Sequence, residues 1–448
     1  MTPTAAVDTL VDGVLALPPL PRPDWADDAP PRNAPAPERE AYNTRNVHRL
    51  QDFARGVLDR MLGTDDADPV ESSTVAFGER LALFWHGHFV TGLDAYFLAP
   101  WLYRYWDILQ RHRLGDLPSF VQAITHTPAM LVYLNGTDNR KGAPNENYAR
   151  ELLELFTTGI LGPDGSPNYT QADITDLARA LTGWSVDYYG QTATPLESVA
   201  VSSWHDDGMK TVFGRTGAFT SSDAVALVFE ARPTQAAHFV ARKLYREFVY
   251  HVPDETVVAA LADVLLDNDF VVEPAVRTLL KSAHFFDQAA LGVRIPSPAE
   301  TMLGFYKALG FARDDEFLAA QAYTMQLAGL NLFDPPSVAG WPGGRAWLDT
   351  SRLAARWTHV EWTVYRQSTY RALAARFPDT RWDAAALAAD LADLFLGVPL
   401  AAGDTAALAD LLLNGIPAYE WDPTAPGAEN RIRALVAHLA RLPEFQLS

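Results

Sequence analysis

The stretch from Asn145 to Leu155 sets Glu146, Asn147, Arg150, Glu151 and Glu154 into an otherwise strongly apolar run. At roughly 100° per residue a helix gathers Asn147, Arg150, Glu151, Glu154 and Thr158 into one stripe and turns Tyr148, Leu152, Leu153, Leu155 and Phe156 the other way. Glu151 and Glu154, three apart, can share a divalent cation, as carboxylates do on bundled helices. Glu151 is also the candidate for acid–base work, with Arg150 beside it as a grip for an anionic group. A plainer use exists for the same residues. Glu146, Arg150 and Glu154 have the four-residue spacing of a salt-bridge ladder, and an arginine within reach lowers a carboxylate pKa. The stripe holds no lysine and includes short Asn and Thr, which is unusual for a merely solvated face and favours a site.

Two further motifs carry ligand-type side chains. His86 and His88 sit in Leu81-Ala82-Leu83-Phe84-Trp85-His86-Gly87-His88-Phe89-Val90, a run apolar on all sides, where a buried imidazole needs a hydrogen-bond partner or a metal. On a continuous helix the two rings point about 200° apart, and only a break at Gly87 would let them converge. His205 and Asp206, followed by Lys210, form the second motif. Histidine oriented by an acid is a general-base pairing, and His205 is equally a metal ligand, although His-Asp-Asp-Gly is also an ordinary surface turn. If the three motifs converge, His86, His88, Glu151, Glu154 and His205 are the candidate metal ligands. Glu151, His205, Asp206, Lys210 and Arg150 are the candidate catalytic groups. The implied cofactor is a divalent metal, with nothing to choose among zinc, iron, copper and manganese.

The elements that must position these groups read as helices almost throughout. Apolar periodicity predicts them at about 38–62, 70–90, 95–113, 118–127, 145–158, 171–183, 221–230, 234–249, 255–267, 273–283, 298–309, 314–328, 346–373, 382–396, 404–413 and 428–441. Thr170 with Asp173, and Ser297 with Glu300, have capping-box spacing, so those acids are expected to be caps. Residues 17–37, with eight prolines, form an extended strap that either dangles or lies along the body. Around 185–220 alternating Thr, Val and Ser predict a β-hairpin presenting the His205 loop. The expected fold is mostly α, a compact multi-helix body with one small β-hairpin. The expected domains are an N-terminal segment and strap at 1–37 and a single helical domain at 38–448. The glycine-rich Gly340-Trp341-Pro342-Gly343-Gly344 lacks the G-K-[ST] of a phosphate loop and reads as a close-packed turn anchored by Trp341.

Composition narrows the functional classes. The 448 residues, 48% hydrophobic, can bury a large core, and a net charge of −19 argues against nucleic acid or an anionic membrane as partner. There is no cysteine, which excludes disulfides, thiolate metal sites and cysteine nucleophiles. No apolar run is long enough to span a membrane, and no signal peptide is present. As written the chain is expected to be soluble and cytoplasmic, with export requiring a longer N-terminus. Its partner is an unidentified small molecule or protein.

Several of these motifs occur in a recognisable order. Phe84-Trp85-His86-Gly87-His88-Phe89 is followed by the Asn147–Leu155 run, by Tyr169-Thr170-Gln171-Ala172-Asp173 and by Ala178-Arg179-Ala180-Leu181-Thr182-Gly183-Trp184. Then come His205-Asp206 with Lys210, Ala241-Arg242-Lys243-Leu244, Phe333-Asp334-Pro335-Pro336, the Gly340–Gly344 turn and Pro443-Glu444-Phe445-Gln446-Leu447. In this order the chain resembles the bacterial proteins grouped as domain of unknown function 1800. That resemblance implies a helical fold and a motif map, but no activity. Phe156 and Arg232 stand where the family pattern often carries histidine, so if those histidines bind something in relatives, this chain is expected to bind it differently or not at all. The reading reached from sequence is a metal-dependent enzyme or ligand-binding protein acting on a small substrate through a His/carboxylate pocket. The alternative is a non-catalytic scaffold or partner protein whose polar residues form a buried structural network.

Overall fold

The structure is a computed structural model, and it describes residues 2–63, 68–310, 313–366 and 370–448. Helix dominates the described residues. Many helices start where a short polar side chain caps the first turn. Asp68 accepts from Val70 N, Asp116 from Ser119 N and Thr127 from Met130 N, each followed by a proline whose missing N–H costs nothing there. Both expected capping boxes form, at Thr170/Asp173 and Ser297/Glu300, and a third forms at Thr220/Asp223. The Pro3–Ala16 helix is an addition to the expected set. Its signal is present in the sequence, since Thr2 caps it and Val7, Val11 and Val14 recur at helical spacing on its buried side.

Strand is confined, among the described residues, to the interval expected. In place of one hairpin there are two antiparallel pairs, Trp184–Val186 with Ser198–Ala200 and Lys210–Val212 with Arg215–Gly217. The His205 loop lies between them. The helix expected at 346–373 is observed as Thr350–Arg366 and Tyr370–Ala375, and residues 367–369 lie outside the described residues. No helix among the described residues is long and apolar enough to cross a membrane.

The chain divides into two compact units, residues 1–285 with 333–341, and residues 286–332 with 342–448. In the first unit the proline-rich strap lies along the body. Trp25 packs edge-on against Phe53 and Tyr103, and the buried Arg104 guanidinium bonds Ala26 O, Asp27, Pro195 O and Glu197. The 333–341 segment closes the same unit over the end of the Pro69–His88 helix. A Cβ on Gly340, whose φ is +82°, would stand 2.3 Å from Gly87 O, so backbone meets backbone there and only glycine fits. In the second unit Arg356 is the buried polar centre, donating to Thr301 Oγ1, Gln446 Oε1 and Pro296 O. Through Gln446 it ties in the closing Pro443–Gln446 turn.

A buried acid organises the first unit's helices. Glu79, fully enclosed in the Pro69–His88 helix, is ion-paired to Arg60 and accepts from Gln110 Nε2 at 2.6 Å and Trp106 Nε1 at 3.3 Å. Gln110 in turn holds Arg113, which reaches Val14 O at 3.2 Å on the first helix. Burial raises the Glu79 pKa against the pull of Arg60 and Arg113. Removing it would strand the buried Trp106 and Gln110 donors, which have no other acceptor among the described residues. Glu79→Ala should therefore destabilise the fold by about 3–5 kcal/mol, the cost of breaking a buried ion pair from one side. Glu79→Gln, which keeps an acceptor for Trp106 and Gln110, should cost less than half as much. Urea denaturation of the two variants checks the order, and equal losses would contradict it.

Candidate functional site

The Asn147 helix does not continue as α-helix. Asn147–Glu151 is α-helical and Leu152–Thr157 is a π-helix. Two threonines hold the wide turn, with Thr157 Oγ1 on Leu152 O at 2.5 Å and Thr158 Oγ1 on Leu153 O at 3.0 Å, five residues back in each case. The extra residue per turn rotates the positions C-terminal to it. Asn147, Arg150, Glu151 and Glu154 stay on the solvent side as expected, but Thr158 is turned inward and buried.

On the solvent side Arg150 is the centre of the ladder that the spacing predicts. It meets Glu146 at 3.2 Å, Glu154 at 3.5 Å and Gln171 Oε1 at 3.1 Å. Glu146 also accepts from Thr175 Oγ1 at 2.7 Å and Gln171 Nε2 at 2.8 Å, bonds that hold its pKa down. Glu154 is bonded by the Tyr169 hydroxyl. Glu151 differs from both. It is half-buried, and among the described residues it has no hydrogen bond or ion pair of its own. Burial, then the neighbouring Glu154 carboxylate, raises its pKa against the opposing pull of Arg150. Two phenols face it. Tyr133 and Tyr169 both have raised pKa values, from burial first and then from surrounding carboxylates: Asp94, Asp334 and Glu151 for Tyr133, Glu154 and Glu151 for Tyr169. Asp94 and Asp334 flank Gly92, where a Cβ would stand 2.6 Å and 3.2 Å from their carboxylates and 3.0 Å from the Tyr133 ring.

The histidines face inward. The Pro69–His88 helix runs unbroken through Gly87, so the two rings diverge. His86 Nδ1 lies 2.8 Å from Tyr105 Oη, which donates its one hydrogen to Phe89 O at 2.7 Å. That order makes Nδ1 the protonated nitrogen of His86. Its Nε2 is buried without a partner among the described residues, and the rings of Trp106, Phe333 and Trp341 pack around the imidazole. Burial lowers the His86 pKa to about 3, so the ring is neutral. His88 has both nitrogens engaged, Nε2 donating to Phe156 O at 3.0 Å and Nδ1 accepting from Lys243 Nζ at 2.9 Å. It meets the π-helical segment at its backbone and not at its carboxylates, and it has no lone pair left for a metal.

The His205 motif is a folded loop. His205 Nδ1 donates to Thr182 O at 3.0 Å, and the loop passes so close to Gly183 that a Cβ there would lie 2.9 Å from His205 Cβ. Asp206 accepts from Arg179 Nε at 2.8 Å and Gly208 N at 2.9 Å, and the arginine above all lowers its pKa to about 2. Lys210 is buried, its ammonium donating to the carbonyls of Asp206, Gly208 and Phe219.

The structure thus brings Arg150, Glu151 and Glu154 together on one face and keeps the imidazoles elsewhere. Among the described residues no three His, Asp or Glu side chains are grouped to hold a metal ion, and no ion pair joins His86, His88 or His205 to Glu151 or Glu154. The aromatic walls around His86 supply no oxygen to complete a coordination set, so those residues do not fit a metal. Tyr133 and Tyr169, which the Glu151 charge reaches, escape a reading of the sequence, because no local spacing connects them to it. Lys243 has a signal there. It follows Ala236 by seven and Val240 by three, on the buried side of the Pro233–Phe248 helix.

Because the Lys210 ammonium satisfies three carbonyls, Lys210→Met should lower stability by about 3 kcal/mol, the scale of losing charge-assisted bonds to buried acceptors. His205→Ala, which removes one bond to Thr182 O, should cost about 1 kcal/mol. Urea denaturation measures both, and the reverse order would restore His205 as the loop's essential group.

Phe156 and Arg232, the two departures from the family pattern, are structural here. Phe156 is buried against Phe89, Tyr148 and His88, and Arg232 bonds Asn168 O at 2.6 Å over the Phe213 ring. No curated protein and no solved structure matches the chain. The sequence model of the family described as "Protein of unknown function (DUF1800)" matches residues 3–447, nearly the whole chain, and the protein belongs to that family.

Proposed function

We propose that the protein is an enzyme or binding protein for a small cationic ligand, working through the Glu151 face. One observation carries this reading. Glu151 is half enclosed beside a second carboxylate, yet has no hydrogen bond or ion pair of its own among the described residues. Such an arrangement costs stability and is retained where a ligand or a proton completes it. Around it Glu154 is fixed by Arg150 and Tyr169, and the Tyr133 phenol feels the Glu151 charge. The ligand classes that suit Glu151 beside the Glu154 carboxylate are an organic amine or a guanidine. Glu151 would contact the cation or accept its proton, and Glu154 would set the field. His86, His88, His205, Asp206 and Lys210 then serve the fold. The scaffold alternative shares that last point and differs only over Glu151.

Glu151→Gln separates the two. A carboxylate whose folded pKa is raised penalises the fold at every pH above that pKa, and the penalty disappears as pH falls through it to the unfolded value. The variant should therefore melt no lower than wild type at pH 7, and any advantage should vanish near pH 4. A panel of small amines and guanidines is screened by thermal shift at the same time. A true ligand at about 100-fold over its Kd stabilises wild type by roughly 2.7 kcal/mol, and Glu151→Gln should lose most of that. If no panel member shifts wild type, or if the variant shifts equally, the scaffold reading replaces this one.

A further inference from the structure

On the inner side of the same π-helical segment the structure holds an amine that the Glu151 face does not use. We propose that Lys243 is an amine nucleophile, held to condense with a small carbonyl compound, an aldehyde or a ketone.

The argument rests on hydrogen-bond accounting. Lys243 Nζ donates to His88 Nδ1 at 2.9 Å and to Leu155 O at 3.0 Å. Each acceptor is fixed. His88 has its proton on Nε2, given to Phe156 O, so Nδ1 can only accept, and Leu155 O is left without an intrahelical donor at the end of the π-helical segment. Two donations use both hydrogens of a neutral amine and leave its lone pair free. An ammonium has a third hydrogen, for which only the Phe239 ring face, 4.8 Å away, remains among the described residues. No carboxylate lies within ion-pair distance of Nζ among the described residues. The charged groups on the surrounding elements are engaged elsewhere: Arg242 with Glu255, Glu230 with Arg215, Glu273 with Arg277, and Glu154 with Arg150. The nearest cation, Arg246, lies one turn along the same helix and repels an ammonium. Burial and Arg246 together bring the Lys243 pKa down to about 7.

The choice of residue points the same way. Of 36 basic residues only five are lysine, at 141, 210, 243, 281 and 307. Arginine would cap Leu155 O and remain charged, whereas lysine is the basic residue that becomes a nucleophile when desolvated beside another cation. The side chain is partly exposed although its nitrogen is enclosed, so the proposed reaction takes only a small electrophile. In the reaction the Nζ lone pair bonds to the carbonyl carbon while the C–O π pair moves to oxygen. Water then leaves with that oxygen and the two amine hydrogens, giving an imine with no oxidant or reductant required. Protonation of the imine returns one N–H, enough to keep either His88 or Leu155 O satisfied. His88 is a positioning residue in this scheme: it aims the amine and touches no substrate.

The experiment treats the full-length protein with propanal and sodium cyanoborohydride, which reduces the imine in place, and follows all five lysines by peptide mass spectrometry. An ordinary lysine is only about one part in 2,500 neutral at pH 7. Lys243 should therefore be alkylated at least tenfold faster than the ion-paired Lys141 and Lys281 at pH 7, and the advantage should shrink towards pH 10. The ¹⁵N shift of Nζ, titrated by NMR, should move between ammonium and amine values near neutrality. Circular dichroism confirms that the protein stays folded throughout. Labelling of Lys243 that is slower than that of Lys141 at every pH, or an Nζ shift that stays at the ammonium value up to pH 9, would make it a cationic cap of the helix end and overturn the proposal.

Discussion

The wide turn at Leu152–Thr157 is the constraint on which the arrangement of the first unit's polar groups depends. A regular α-helix would return each carbonyl to an N–H four residues on, whereas here Leu155 O and Phe156 O are taken by donors from outside the segment. Lys243 and His88 supply those donors, so two helices distant in sequence are fastened to one helix end by two hydrogen bonds and to each other by a third. The carboxylates lie on the opposite side of the same few residues. One local irregularity therefore separates an inner face, where Lys243 and His88 meet the helix-end carbonyls, from an outer face where Glu151 is left unmatched among the described residues.

The general architecture could be read from the residues because it rests on local rules. Caps at Thr170 and Ser297 have short-range signatures, apolar spacing marks one helix after another, and the alternation after residue 184 marks strand. The site was less legible. Spacing alone put Arg150 between Glu146 and Glu154, and the geometry agrees. It also placed Thr158 on that stripe, because periodicity assumes 3.6 residues per turn and no residue type announces a π-helix. Tyr133 and Tyr169 come under the Glu151 charge by tertiary packing, which leaves no trace in a window of neighbouring residues.

Ambiguity of another kind attends His205, Asp206 and Lys210. A lysine that bonds three carbonyls and a lysine that activates a substrate require the same residue type in the same short loop, and only the count of acceptors around the nitrogen separates them. The count is three for Lys210 and two for Lys243, and among the described residues neither nitrogen has a carboxylate bonded to it. In a chain this acidic, both lysines are stabilised by backbone oxygen in place of side-chain charge. Their surroundings therefore persist at salt concentrations that would loosen surface pairs such as Lys141 with Asp207.

The 333–341 segment has a consequence for how the chain is made. It belongs to the first unit, yet the 47 residues from 286 to 332 intervene before it is synthesised. A ribosome adding about 5–20 residues per second needs several seconds to travel from residue 285 to residue 341. Throughout that time the aromatic surface around His86, which Phe333 and Trp341 finally cover, faces the cell. The first unit thus begins folding before its last piece exists, and during biogenesis that temporarily bare patch is where a chaperone, or another nascent chain, has its opportunity to bind.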